Sequence, residues 1–135
     1  MTPTRTTLRL ARPGGEWNRL YAMAKRAGGH VYKGDFTFPT VVAERDGVVI
    51  GFLATQPTDA AVVAGPLVIE GTRNPFLFIR LVEAYENVLR AAGVKAYLHT
   101  IDKDRENHVE MMERLGFTRL DRTPEGETVM RRDLL

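Results

Sequence analysis

Residues 60–93 decide the fold of this chain, and they read AAVVAGPLVIEGTRNPFLFIRLVEAYENVLRAAG. An apolar strand that is interrupted once, at Gly65-Pro66, leads through a short turn into a long amphipathic helix. Asn74 is a favourable N-cap residue, and Pro75 suits the first helical position, where its missing N–H has no intrahelical partner. The free N–H groups at such a helix start predict a place to hold phosphate. An ordinary helix cap with a solvated Arg73 is the alternative interpretation.

The rest of the chain predicts a mixed sheet around this corner. Because proline cannot donate a ladder hydrogen bond, Gly65-Pro66 predicts a bulge that separates its strand from the neighbouring strand. The order β-α-β-β-β-α-β-α-β-β indicates an α/β fold with a mixed α+β sheet, and we expect a single domain over residues 1–135. Apart from the long helix, the expected elements are strand 6–10, helix 15–26, hairpin 40–54, strand 61–69, strand 96–101, a helix capped by Asn107 that runs to about Leu115, and strands 117–120 and 128–132.

Composition excludes several classes of function. The chain has no cysteine, so a disulfide framework, a thiolate nucleophile and a Cys-ligated zinc are all excluded. Its histidines, His30, His99 and His108, lack the spacing of metal ligands, and we expect no metal site. The longest apolar run, 60–69, is too short to cross a bilayer, and the N-terminus lacks a signal-like apolar region. We therefore expect a soluble, cytoplasmic protein without a membrane partner.

The formal net charge of +2 is unevenly distributed along the chain. Residues 1–34 carry seven basic residues and one acidic residue, so the remaining residues are acidic overall. A basic segment can attract nucleic acid, a phosphorylated ligand or an acidic partner. Here the basic residues are spread out and no aromatic residues alternate with them, which is typical of a solvated surface. Nucleic acid is therefore not an expected partner.

Three stretches of the sequence carry a resemblance to a known family. They are VVAERDGVVIGF at 41–52, the interrupted strand that leads into Arg73 and the long helix, and the tail with MERLGF at 112–117 and ETVM at 127–130. Through the order and spacing of these stretches, the chain resembles the GNAT superfamily of acetyl-CoA-dependent N-acetyltransferases over nearly its whole length. It is also similar to short acetyltransferase-like proteins of tailed phages.

The resemblance implies a site for acetyl-CoA in the gap beside the bulged strand. The phosphate loop of the family has glycines where this chain has Phe76 and Phe78, and glycine there lets a ligand approach the backbone closely. The tyrosine with which the family protonates the departing thiolate falls on Met112, and the family's asparagine upstream of the last helix falls on Arg105. The cofactor-binding residues that the resemblance implies are Leu67, Val68, Ile69, Arg73, Asn74, Phe76, Leu77, Phe78 and Asn107.

The activity that the resemblance implies is transfer of an acetyl group to a primary amine by direct attack. This reaction needs a base to take a proton from the amine, and Glu70 and His99 are the candidate catalytic residues. Each also has an ordinary interpretation, Glu70 as a solvated carboxylate at a strand end and His99 as a half-buried sheet residue. His108 is expected to be a surface residue in the first turn of its helix. The acceptor is left open among a small amine, an antibiotic, a peptide N-terminus and a lysine side chain.

The two phenylalanines leave a second function open. If Phe76 and Phe78 fill the cofactor groove, the chain is a catalytically inactive GNAT-like protein with a structural or interaction role. A phage virion component, with other virion proteins as partners, is one form of this alternative. A free edge of the C-terminal hairpin also leaves a homo-oligomer open.

Overall fold

The computed structural model describes residues 5–12, 14–27, 37–58, 61–72 and 74–134. Within these ranges, strands and helices follow one another in the predicted order. No helix in the described ranges is long and apolar enough to cross a membrane. The elements are β1 Thr6–Leu10, α1 Gly15–Arg26, β2 Thr37–Arg45, β3 Val48–Thr55, β4 Val63–Ile69, α2 Pro75–Ala91, β5 Ala96–Ile101, α3 Glu106–Arg114, β6 Thr118–Arg122 and β7 Thr128–Asp133.

The start of α3 differs from the prediction. Its N-cap is Arg105, whose side chain makes no capping hydrogen bond, and Asn107 lies inside the first turn. The chain enters the helix early because Asp104, directly before the cap, reverses it with a left-handed backbone conformation (φ 66°). The prediction of Asn107 as the cap of this helix is therefore wrong.

The strands form one sheet in the order β1-β2-β3-β4-β5-β7-β6. Neighbouring strands are antiparallel except for β4 and β5, which are parallel. The turn between β2 and β3 is formed by Asp46 and Gly47, which both have a positive φ (52° and 78°), as a two-residue hairpin turn requires. The predicted mixed sheet and its hairpin are confirmed.

The helices cover both faces of this sheet. Leu20 of α1 shares a buried cluster with Phe52 of β3, whereas Leu81 of α2 and Val109 of α3 share a second cluster with Leu53. Successive side chains of a strand point to opposite faces of the sheet. Helix α1 therefore lies on one face, and α2 and α3 lie together on the other.

The ladder between β4 and β5 is short. It pairs Val63 with Leu98 and Ala64 with His99, and then it ends. The next residue, Gly65, has a φ of 131°, and a Cβ atom there would lie 3.2 Å from the carbonyl oxygen of Thr100. Because a side chain fits neither this conformation nor this space, glycine is required where the strands separate. The predicted irregularity of this strand is confirmed.

Beyond Gly65, β4 stays attached to β3 alone. Glu70 donates its N–H to the carbonyl oxygen of Ile50 over 2.7 Å, and Val68 pairs with Phe52. In an antiparallel ladder, alternate residues turn their main-chain groups toward and away from the partner strand. The N–H and C=O groups of Leu67 and Ile69 therefore point away from β3, into the gap beside β5.

A buried carboxylate fastens α2 to the strands on the far side of this gap. Glu86 of α2 is 4% exposed and accepts a hydrogen bond of 2.7 Å from the hydroxyl of Tyr97 in β5. It also accepts one of 3.0 Å from Nε of Arg132 in β7 and a longer one of 3.5 Å from Arg90. Because two of its donors come from β5 and β7, this one side chain fixes the position of α2 over the sheet.

Replacing the carboxylate by an amide tests this role. Hydrogen bonds to a charged group contribute about 1.5–3 kcal/mol each, so we expect Glu86→Gln to lower the free energy of unfolding by about that amount. Urea denaturation measures the change. Glu83→Gln, an exposed position on the same helix, is the control and should stay within about 0.5 kcal/mol of the parent. Equal stability of the two variants would contradict the role of Glu86.

Candidate functional site

The gap in the sheet opens onto a cleft beside the amino end of α2. The cleft has a volume of about 340 Å³ and lies between the end of β4, the start of α2 and the exposed side of α3. Its walls are formed by Ile69, Thr72, Asn74, Pro75, Phe78, Asn107, His108 and Met111.

Two histidines connect this cleft to the interrupted strand. His99 is fully buried on β5, and its Nδ1 lies 3.1 Å from the carbonyl oxygen of Ala64. Its Nε2 lies 3.3 Å from Nε2 of His108, in the first turn of α3. The ring of Phe78 packs edge-on against His108, with 5.0 Å between the ring centroids. A chain of polar contacts thus runs from the main chain of β4 through both imidazoles to the cleft wall.

The main chain sets the tautomer of both rings. A carbonyl oxygen can only accept, so Nδ1 of His99 carries the hydrogen that is donated to Ala64. In a neutral ring this leaves Nε2 of His99 as an acceptor, and Nε2 of His108 must be the donor between the rings. The Nδ1 of neutral His108 is then an acceptor, and no described residue donates a hydrogen bond to it.

Both histidines are neutral at physiological pH. Burial, followed by the neighbouring His108, lowers the pKa of His99 from its ordinary 6.5 to about 3, although the contact with Ala64 raises it. Burial, followed by the charge of Arg105, lowers the pKa of His108 to about 4. The described part of the chain contains no group of three His, Cys, Asp or Glu side chains that could hold a metal ion. Unprotonated imidazoles can accept a proton, but the lowered pKa makes each a weaker base than an ordinary histidine.

The first N–H groups of α2 already have acceptors within the chain. The N–H of Phe76 donates to Oδ1 of Asn74 over 3.0 Å, and that of Leu77 donates to the Asn74 carbonyl over 3.2 Å. The N–H of Asn74 itself donates to Oγ1 of Thr72 over 3.2 Å. Asn74 is thus confirmed as the N-cap, with Pro75 at the first helical position. A phosphate group must compete with these internal hydrogen bonds.

The two phenylalanines at the glycine positions of the family loop behave differently. Phe76 is 67% exposed and does not line the cleft. Phe78 is half-buried, packs on the core and forms one wall of the cleft beside His108. The cleft is therefore narrowed by Phe78 and not filled by both rings.

The other predicted cofactor residues are divided between the gap and the core. Leu67 and Ile69 direct main-chain groups into the gap, whereas Val68 is turned toward β3 and is 5% exposed. Leu77 is buried in the core, and Asn107 lies on the cleft wall. Arg73 lies outside the described residues.

Glu70 has a partner that the sequence does not reveal. Its carboxylate forms two hydrogen bonds, of 2.8 and 3.0 Å, with the guanidinium group of Arg26 near the end of α1. The hydrogen bonds from Arg26 lower the pKa of Glu70. The paired carboxylate is therefore a weaker base than a free one.

His108 is the residue of the cleft that the sequence interpretation missed. It was expected as a surface residue in the first turn of its helix; it lies in that turn, but its side chain is half-buried against Phe78 and His99. The position of His108 in the sequence could have indicated its place in the cleft. His108 precedes Met112 by four residues, so both lie on one face of α3, and Met112 occupies the place of the family's tyrosine.

Comparisons with known proteins support the fold. No protein-family model matches the chain, and no curated protein matches it. Among solved structures, Ard1 from Thermoplasma volcanium has a TM-score of 0.77 at 15% identity, covering 96% of this chain and 98% of that chain. The ribosomal-protein-S18-alanine N-acetyltransferase from Escherichia coli has a TM-score of 0.75 at 15% identity, covering 96% and 94%.

A third structure, Naa50 from Arabidopsis thaliana in complex with the bisubstrate analogue CoA-Ac-MVNAL, has a TM-score of 0.70 at 11% identity. It covers 96% of this chain and 99% of that chain. Because the superposition extends over nearly the full length of both chains, this chain has the fold of the GNAT N-acetyltransferases.

Proposed function

We propose that this chain transfers an acetyl group from acetyl-CoA to a primary amine by direct attack. The observation that carries the proposal is the cleft beside the interrupted strand, where a neutral histidine pair meets main-chain groups that β3 does not use. No cysteine is present to form an acyl-enzyme through a thiolate. Direct transfer of the acetyl group between the two substrates is consistent with the absence of cysteine.

The structural neighbours support both substrates. One is named as an N-acetyltransferase for the alanine of a ribosomal protein, and another was solved with an analogue that joins CoA to a peptide. A further neighbour, an aminoglycoside 6′-acetyltransferase, aligns with 72% of this chain at 22% identity and a TM-score of 0.62. These acceptors share an amine, and the proposal is made at that level.

The residues around the gap fit the two ends of acetyl-CoA unequally. The main-chain groups of Leu67 and Ile69 suit the amides of a pantetheine arm, which needs donors and acceptors along an open strand edge. The phosphate end would rest on Arg73 and on the Asn74 cap, whose internal hydrogen bonds it must replace. When bound, acetyl-CoA supplies an activated thioester, and the chain supplies position and proton transfer.

Proton transfer is best assigned to the histidine pair. His108 takes the proton of the attacking amine at Nδ1 and gives it to the departing sulfur, so that the C–N bond forms, the C–S bond breaks and no net proton remains on the chain. His99 holds His108 in the required tautomer through their Nε2 contact. This assignment extends the prediction of His99 and replaces the proton donor that Met112 cannot provide. Glu70 is the weaker candidate because Arg26 holds its carboxylate.

A structural or interaction protein with the same fold is the second candidate. One observation favours it. The N–H groups at the start of α2 donate to acceptors of the chain itself, as expected of a helix that binds no phosphate. Phe78 also narrows the cleft. The two candidates differ in whether acetyl-CoA binds at all.

Calorimetric titration with acetyl-CoA and CoA separates the two candidates. If the cleft accepts the donor, we expect a dissociation constant of roughly micromolar size and a matching rise in melting temperature. Arg73→Ala should weaken binding about tenfold, whereas Arg19→Ala, which removes an exposed charge from α1 on the opposite face, should leave it unchanged. Absence of heat and of stabilisation at millimolar donor would exclude the enzyme and favour the second candidate.

Substitution of His108 tests the proton-transfer role. We expect His108→Ala to lower kcat about 100-fold, the usual contribution of general acid–base catalysis, while donor affinity changes by less than about threefold. Release of CoA can be followed with a thiol reagent, because the protein has no cysteine to react with it. Spermidine, kanamycin and a short peptide with a free N-terminus are suitable acceptors. Glu110→Ala, on the exposed side of α3, is the matched control, and an equal kcat for the two variants would refute the assignment.

The lowered pKa values also predict how stability depends on pH. The folded state holds both histidines neutral, whereas in the unfolded chain they bind protons below their ordinary pKa of 6.5. Stability is therefore full above pH 6.5 and falls as the pH drops from there toward about 4, by about 1–2 kcal/mol per histidine between pH 7 and pH 5. Urea denaturation at several pH values measures the loss. His108→Gln should show a smaller loss than the parent, and parallel curves would speak against a buried, neutral His108.

A further inference from the structure

A second pocket lies on the other side of the turn that precedes α2. It has a volume of about 310 Å³ and is enclosed by the starts of β1 and β3, the end of β2 and the exposed side of α2. Thr72 and Asn74 form a wall that it shares with the cleft. The pocket, called here the Arg45–Arg80 pocket, is lined by Thr6, Arg45, Ile50, Thr72, Asn74, Leu77 and Arg80.

Two arginines, Arg45 and Arg80, are among the residues that line this pocket. Arg80 donates to the carbonyl oxygen of Thr6 over 3.2 Å and forms no ion pair with any described residue. The side chain of Arg45 forms neither a hydrogen bond nor an ion pair within the part of the chain that the structure describes. No acidic residue is among the described residues that line the pocket. Of the two acids that flank Arg45 in sequence, Glu44 is held by Arg9 over 2.8 Å, and Asp46 lies in the turn between β2 and β3. An excess of positive charge therefore remains at the pocket.

The polar groups of the pocket walls are mostly donors. Oγ1 of Thr72 accepts the N–H of Asn74, and Oδ1 of Asn74 accepts the N–H of Phe76. The carbonyl oxygen of Thr6 accepts from Arg80. What is left to bind a ligand is the hydroxyl hydrogen of Thr72, the amide hydrogens of Asn74 and the guanidinium hydrogens. A group that carries only acceptors and negative charge matches this set, and phosphate is such a group.

We propose that the Arg45–Arg80 pocket binds a phosphate or diphosphate group of a small-molecule ligand. This site goes beyond acetyl transfer, because it lies outside the cleft that holds His108 and needs none of its residues except the shared wall. The phosphate group comes either from CoA or from a separate phosphorylated molecule. Both sources present the same chemistry to the two arginines.

Calorimetric titration with inorganic pyrophosphate at low ionic strength tests the pocket directly. We expect the parent protein to bind pyrophosphate and the double variant Arg45→Ala/Arg80→Ala to bind it at least about tenfold more weakly, because surface charges act most strongly at low salt. Arg19→Ala removes the same charge from the opposite face and should bind like the parent. Circular dichroism and melting temperature show whether each variant is folded, and the single variants serve if the double variant is not.

The results of these titrations can be distinguished from failure of the proposed acetyl transfer. Equal affinity of the double variant and the parent for pyrophosphate, or no binding by the parent, overturns the proposal. If pyrophosphate binding depends on the two arginines, parallel titrations with CoA and with pantetheine identify the source. A tenfold loss for CoA but not for pantetheine assigns the pocket to the phosphates of CoA. An unchanged CoA affinity, or no CoA binding at all, assigns it to another phosphorylated molecule and leaves the pocket established.

Discussion

The short ladder between β4 and β5 is the constraint on which the arrangement of this molecule depends. Two residue pairs hold the strands parallel, and Gly65-Pro66 ends the ladder where a side chain and an N–H would continue it. Because β3 holds β4 and β7 holds β5, the two halves of the sheet remain ordered on either side of the gap. Helices α2 and α3 lie on one face of the sheet, and Glu86 keeps α2 in place against the β5 half.

The sequence predicts those features that depend on the backbone preferences of neighbouring residues. Asp46-Gly47 sets a hairpin, Asn74-Pro75 starts a helix and Gly65-Pro66 interrupts a strand, because each acts through its own backbone preferences. The histidine pair joins a strand to the next helix, and the Arg26–Glu70 pair spans 44 residues of sequence. Such contacts depend on how elements pack, which no single stretch encodes. The cap of α3 was missed for a smaller reason, the left-handed Asp104.

The start of α2 offers an anion few main-chain donors. Proline removes one N–H, and the Asn74 side chain and carbonyl occupy the next two, so few main-chain donors remain. The macrodipole of the helix is unaffected by these contacts, and its positive end still faces both adjoining hollows. A ligand at this corner would then rely on side chains: those of His108 and Asn107 on one side, and those of Arg45 and Arg80 on the other.

Thr72 and Asn74 form a wall common to both hollows, and this has a thermodynamic consequence. A molecule that turns the Asn74 amide from one side alters the surface that the other side presents. Two sites that share such a wall have a coupling free energy, and its sign and size are the same in whichever order they fill. The wall formed by Thr72 and Asn74 is in this sense the structural link through which a ligand on one side of α2 would be felt on the other.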